Sequence, residues 1–175
     1  TPFNLLISLG IMLIFHPNWN KSIIYFLFTV YLVGFGAELF GVQTGLLFGN
    51  YEYGRILGIK IWDTPLIIGV NWVILTYAAG VIFNTLLPYQ HWILRSILAA
   101  LLMVGLDILI EPVAMDLGFW SWEHDIVPLQ NYMGWFLVAL PLLCIFNITQ
   151  KDVQNKVAIV LFILQIIFFL ALNIL

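Results

Sequence analysis

The stretch VGLDILIEPVAMDLGFWSW, residues 104–122, begins as an apolar helix and carries three acids, Asp107, Glu111 and Asp116. No Lys or Arg within the stretch could pair with these acids, and it ends in two tryptophans. Ionisable groups inside a membrane-spanning helix are costly, and where they occur they usually mark a functional site. The stretch therefore predicts a membrane helix whose carboxyl groups serve a chemical purpose, with Asp116 close enough to the helix end to be solvated.

The composition of the whole chain is that of a membrane protein. Hydrophobic residues make up 63% of the 175 residues and charged residues only 9%, whereas about a quarter of the residues in a soluble domain are charged. The net charge of −3 is small and no basic cluster is present, so we expect no nucleic-acid partner. The single cysteine, Cys144, excludes an intramolecular disulfide and a cysteine metal cage.

Apolar segments recur along the chain at roughly the length of about 20 residues that a helix needs to cross a bilayer. We identify six of them, at about 2–15, 22–48, 64–87, 91–116, 130–147 and 156–175. The first is short for a full span. The predicted fold is an all-α polytopic membrane bundle of about six transmembrane helices, or seven in a longer full-length protein. It forms a single domain over residues 1–175.

The connections between these segments differ in length and place two long loops on one face of the membrane. GNYEYGRILGIKIWD (49–63) and LGFWSWEHDIVPLQ (117–130) are long and aromatic, whereas the other connections are short and polar. The short-loop face carries four basic residues and the long-loop face two: Lys21, Arg95, Lys151 and Lys156 against Arg55 and Lys60. Because basic loops stay inside, this count favours short loops in the cytoplasm.

Three acids are expected to meet inside the bundle. Glu38 and Asp107 lie on helices that run in the same direction. They are about 11 and about 10 residues from the long-loop end, and therefore both roughly 15 Å deep. Glu111 follows Asp107 by four residues on the same helix face, and Asn71 is expected at a similar level. At least one carboxyl group in such a dry site should retain its proton and serve as a general acid. The alternative is that protonated carboxyl groups only hold the helices together.

Aromatic residues and glycines surround these acids in the sequence. The long-loop face carries a cluster next to the acids: Tyr51, Tyr53, Trp120 and Trp122. Such rings either anchor the protein at the membrane interface or stabilise a cation through their faces. Gly34, Gly41 and Gly45 flank Glu38 at spacings that predict one shared helix face for close packing. The histidines lie in loops, so no metal site is expected: His16, His91 and His124.

Four motifs together resemble the integral-membrane carotenoid biosynthesis family. They are GAELFGVQTGLLFGNYEYGRILG (36–58), TPLIIGVNW (64–72), DILIEPVAMDLGFWSW (107–122) and VPLQNYMGWF (127–136). The resemblance covers about residues 34–136, and the combination is far more specific than any one motif. Its best-known members are bacterial and archaeal hydratases, which implies a multi-pass protein of the inner or plasma membrane of such a cell.

The resemblance implies a carotenoid 1,2-hydratase, which adds water to the terminal C1=C2 double bond of an acyclic ψ end group. The substrate would be lycopene, γ-carotene or a similar carotenoid in the lipid bilayer, and no cofactor is implied. Asp107 or Glu38 would donate the proton, with the other as its partner, and Glu111 would position or deprotonate the water. Six residues would bind or orient substrate and water: Asn71, Tyr51, Tyr53, Trp120, Trp122 and Asn131. The oligomeric state stays open.

Three other functions are compatible with parts of the pattern. A carotenoid cyclase of the lycopene type begins with the same protonation, but its cation closes onto a nearby double bond. A small proton-coupled transporter also needs intramembrane acids, although no inverted repeat is visible. A purely structural assembly protein would not need the acid cluster.

Overall fold

The computed structural model describes residues 2–151 and 153–175, and this part of the chain forms six α-helices and four short strands. The helices are α1 (Pro2–Ile14), α2 (Lys21–Thr44), α3 (Ile67–Leu86), α4 (Trp92–Asp116), α5 (Leu129–Thr149) and α6 (Lys156–Ile174). The strands are β1 (Tyr51–Tyr53), β2 (Lys60–Ile61), β3 (Thr64–Pro65) and β4 (Trp120–Trp122). The predicted all-α polytopic bundle is confirmed.

Helices α2 to α6 are 19 to 25 residues long and apolar enough to cross a bilayer, for which about 20 residues are needed. Helix α1 has 13 residues, in agreement with the prediction that the first segment is short. Helix α3 lies at the centre and contacts each of the other five helices. Its side chains are mostly buried, whereas α6 presents most of its apolar surface outward, as expected where lipid is the solvent.

Helix α2 ends earlier than predicted. Gly45 adopts a left-handed conformation, with φ of 66°, and ends α2 after Thr44, since glycine takes this conformation without steric cost. The prediction that Gly45 shares a helix face with Gly34 and Gly41 is therefore wrong. Glu38 lies six residues before the end of α2, which places it closer to the long-loop end than predicted.

Both long loops contain strands that the sequence analysis did not predict. Strands β1 and β4 pair in an antiparallel ribbon that joins the two loops, with Tyr51 opposite Trp122 and Tyr53 opposite Trp120. Strands β2 and β3 form a hairpin within the first loop. Gly54 passes so close to the Gly118 carbonyl that a Cβ atom there would overlap it. The β1–β4 ribbon closes the long-loop end of the bundle.

Candidate functional site

Glu38, on α2, is buried and accepts hydrogen bonds on both carboxyl oxygens. The hydroxyl groups of Tyr51 and Tyr53 donate to Oε2 at 2.6 and 2.7 Å. The indole Nε1 of Trp72, on α3, donates to Oε1 at 3.0 Å. The donors come from the ribbon and from a neighbouring helix, so the carboxyl group is fixed by parts of the chain that are distant in sequence.

Glu111, on α4, is held by three further donors. Two come from β4: the indoles of Trp120 and Trp122 donate to Oε2 at 2.8 and 2.7 Å. The third is Asn131 on α5, whose Nδ2 donates to Oε1 at 3.1 Å. Trp120 and Trp122, which end the stretch 104–122, therefore fold back and hydrogen-bond to Glu111 of the same stretch.

Asp107 lies one helical turn before Glu111 and has a different environment. Asn131 Nδ2 donates to its Oδ2 at 2.7 Å, so this amide bridges the two acids of α4. The other oxygen, Oδ1, is buried and has no hydrogen-bond partner among the described residues. A buried carboxyl oxygen without a partner is unusual and leaves one position free to bind a proton or a small molecule.

The tyrosines of β1 serve as neutral donors to Glu38. Burial raises the pKa of Tyr51 and of Tyr53, and the nearby Glu38 carboxyl raises both further. Both phenols therefore keep their protons at any physiological pH. The Tyr51 ring also lies against Trp122, with 4.9 Å between ring centroids, so the inner face of the ribbon is a continuous aromatic surface.

These side chains surround one small cavity of about 30 Å³, which is large enough for a water molecule. All nine residues that the sequence analysis singled out line it: Glu38, Tyr51, Tyr53, Asn71, Asp107, Glu111, Trp120, Trp122 and Asn131. The structure therefore brings the predicted residues together, while their individual roles stay predictions. Among the described residues, no three His, Cys, Asp or Glu side chains are grouped to hold a metal ion.

Comparison with known proteins agrees with the four sequence motifs. A family model described as "Carotenoid biosynthesis protein" matches residues 2–175. The chain belongs to the carotenoid biosynthesis protein family. It is also 30% identical over 129 residues to the bisanhydrobacterioruberin hydratase of Haloarcula japonica. That alignment covers 66% of this chain and 42% of the relative, so the chain spans less than half of that protein. No solved structure matches.

The family assignment confirms the resemblance that the motifs predicted, and the fold places residues of all four motifs around the cavity. The motif of residues 36–58 supplies the α2 acid and strand β1, and the motif of residues 107–122 supplies the α4 acids and strand β4. In this member of the carotenoid biosynthesis protein family, the parts of the sequence that carry the resemblance therefore converge on the cavity.

Sequence reasoning missed four aromatic and apolar residues at the site. Phe48, Ile68 and Trp135 line the cavity, and Trp72 binds Glu38. The Trp72 and Trp135 rings stack with 4.5 Å between centroids. One signal was present: Gly34 lies one turn before Glu38, and a Cβ atom at this position would overlap the Trp72 ring. The sequence shows that room is needed there, but not which ring fills it.

Proposed function

We propose that this chain carries the catalytic site of a carotenoid 1,2-hydratase, which adds water to the C1=C2 double bond of an acyclic ψ end group. The observation that carries the proposal is the convergence of Glu38, Asp107 and Glu111 on a buried cavity of about 30 Å³. Membership of the carotenoid biosynthesis protein family and similarity to a protein named as a hydratase support the substrate class and the reaction.

We assign the first step, protonation of the alkene, to Asp107. Glu38 and Glu111 each accept three hydrogen bonds, and such donors favour the ionised form of a carboxyl group. Asp107 accepts one hydrogen bond and keeps a free oxygen, so it is the acid best suited to hold a proton. Its proton passes to C2, the π electrons form the new C–H bond, and a tertiary cation remains at C1.

The cation is stabilised by its surroundings until water arrives. The carboxyl oxygens of Glu38 and Glu111 present negative potential to the cation, and the aromatic faces around the cavity attract cations. The rings that line it are those of Phe48, Tyr51, Tyr53, Trp120, Trp122 and Trp135. A carotenoid end group is larger than the cavity, so its binding has to displace some of these rings.

Water capture completes the reaction. The oxygen of a water molecule forms a bond to C1, and its surplus proton goes to Glu111, which Asn131 links to Asp107. Return of that proton to Asp107 restores the site. One alkene and one water give one tertiary alcohol with no change in overall oxidation state, so the reaction as written balances without a redox partner.

The direct test is to express the chain in a bacterium that makes lycopene and γ-carotene and to analyse the pigments by chromatography and mass spectrometry. A gain of one water for each ψ end that reacts is the expected result. A cyclised product of unchanged mass would instead identify a cyclase that uses the same acid-initiated cation. Unchanged pigment, with the protein shown to be folded and inserted, would contradict both and favour a transporter.

A further inference from the structure

A hydratase of this kind needs two reactants that reach the site from different phases. The carotenoid is soluble in the bilayer, whereas the water has to come from an aqueous surface. Helices α2 to α6 are long and apolar enough to cross a bilayer and expose many large hydrophobic side chains, so lipid rather than water surrounds the sides of the bundle. The water has to enter from one end of the bundle.

An open basin of about 880 Å³ lies on the long-loop face, on the outer side of the β1–β4 ribbon. Its lining is mainly polar and charged, and includes Gln43, Asn50, Glu52, Lys60, Asp63 and Glu123. Such a basin fills with water. The acid cavity lies on the other side of the same ribbon, because Tyr51, Tyr53 and Trp122 line both spaces.

The β1–β4 ribbon is a single layer of chain between the basin and the acid cavity. Side chains alternate between the two faces of a strand, so the aromatic residues point toward the acids while Glu52 and Ser121 point away. The alternation is visible in burial: Tyr51 and Tyr53 are 8% and 9% exposed and Trp122 is 5% exposed, whereas Glu52 and Ser121 are exposed. A single layer of three rings separates the basin from the acids.

We propose that the β1–β4 ribbon is the water inlet of the enzyme, and that water passes from the basin to the acid cavity between the side chains of Tyr51, Tyr53 and Trp122. This inference rests on the proposed hydratase function. It makes the ribbon the element that determines the fate of the cation. With water supplied, C1 is hydrated; without it, the cation loses a proton to a neighbouring carboxylate and returns an alkene of unchanged mass.

The test places bulk on the basin side of the ribbon, over the proposed route, without touching the acid cavity. Ser121→Phe places a ring on the outer face of β4, and Phe is well accepted in a strand. Ser121→Ala is the matched control, since it removes the hydroxyl group without adding volume. Glu52→Phe, at the position paired with Ser121, is a second variant that repeats the test if Ser121→Phe does not fold.

The measurement is a single-turnover reaction in D2O with the purified full chain in excess over lycopene. Deuterated but unhydrated carotenoid reports proton transfer without water capture, and the alcohol reports hydration. We expect the ratio of deuterated alkene to alcohol to rise severalfold in Ser121→Phe, because the added ring obstructs the route by which water reaches the cation. Ser121→Ala should keep the wild-type ratio.

Two outcomes distinguish a failure of the inlet proposal from a failure of the proposed hydratase function. If the folded Phe variants keep the wild-type ratio, water enters elsewhere and the inlet proposal is wrong. If the wild-type protein yields neither deuterated alkene nor alcohol, the acid mechanism itself fails, and the inlet with it.

Discussion

At the scale of single residues, the three carboxyl groups differ in how many hydrogen-bond donors face them. Glu38 and Glu111 have three donors each, and Asp107 has one. The sequence predicted that these acids meet, because their predicted depths and helix directions agree. It could not distinguish their roles, since the distinguishing donors come from the ribbon, from α3 and from Asn131 on α5.

Replacing Glu38 by glutamine should lower both activity and stability. The new amide NH2 group has to face either the two tyrosine hydroxyls or the Trp72 indole, all of which donate to Glu38. A buried donor left without an acceptor costs about 1–3 kcal/mol, so Glu38→Gln should unfold at a lower temperature in detergent. Trp72→Phe removes the opposed donor but also loses packing against Trp135, so it should cost less stability in the Glu38→Gln background than in the wild-type protein; equal costs in the two backgrounds would contradict this explanation.

Activity of the same variant tests the electrostatic role of Glu38. With the carboxyl group replaced by an amide, we expect hydration to fall by at least about a hundredfold, the scale of a lost electrostatic contact to the transition state. The rate is measured with enzyme that elutes as a folded species and retains its helical circular dichroism. Wild-type turnover in Glu38→Gln would remove this carboxyl group from the mechanism.

Trp120→Leu should slow turnover less than the loss of an acid. Glu111 keeps Trp122 and Asn131 as donors, so the expected effect is about tenfold, the value of one hydrogen bond to a charged group. Trp120→Phe removes the N–H but keeps an aromatic face toward the cation, so it should slow turnover less than leucine does. If leucine is as damaging as the loss of an acid while phenylalanine is mild, the ring itself stabilises the cation.

At the scale of secondary-structure elements, the sequence predicts the helices better than the ribbon. Long apolar runs give helix positions within a few residues, because a span needs a fixed length of apolar chain. Strands β1 and β4 have three residues each and are separated by more than 60 residues. Their pairing depends on the loops meeting at the end of the bundle, so local sequence carries no signal for it beyond the shared aromatic character.

Gly54 offers a test of the ribbon that leaves its aromatic side chains in place. A methyl group at this position overlaps the Gly118 carbonyl, so Gly54→Ala should displace β1 relative to β4. We expect activity to fall at least about tenfold, because a shift of about 1 Å at a catalytic group can cost that much or more. Gly105→Ala is the control, since nothing lies within 4 Å of its added Cβ. Equal activity in the two variants would show that the ribbon tolerates displacement.

At the scale of the whole molecule, a second buried network ties the short-loop end together. The His16 ring donates from Nε2 to the Asn18 carbonyl at 3.0 Å, so Nδ1 accepts from the Tyr77 hydroxyl at 2.7 Å. Asn155, at the start of α6, donates to the Met12 carbonyl at 2.9 Å. The sequence placed His16 in a loop but gave no sign that it joins α1, α3 and α6, because the contacts are made across the bundle.

This network predicts that stability falls in acid. Burial lowers the pKa of His16 from its usual 6.5, so the unfolded chain binds a proton more readily than the folded one. Stability is full above pH 6.5 and is lost as the pH falls through this value. Thermal unfolding in detergent at pH 7.5 and 5.5 should show the decrease, and His16→Phe should reduce it. The exposed residue His124 provides the control, since His124→Gln should keep the full decrease.

The role of the Asp107 carboxyl group as proton donor is tested by the hydration rate of Asp107→Asn beside that of Asp116→Asn. Both substitutions make the same chemical change on α4, but Asp116 is exposed at the helix end and does not line the cavity. We expect Asp107→Asn to lose at least about a hundredfold in rate and Asp116→Asn to match the wild-type protein. A folded Asp107→Asn variant that hydrates carotenoid at the wild-type rate would show that Asp107 is not the proton donor.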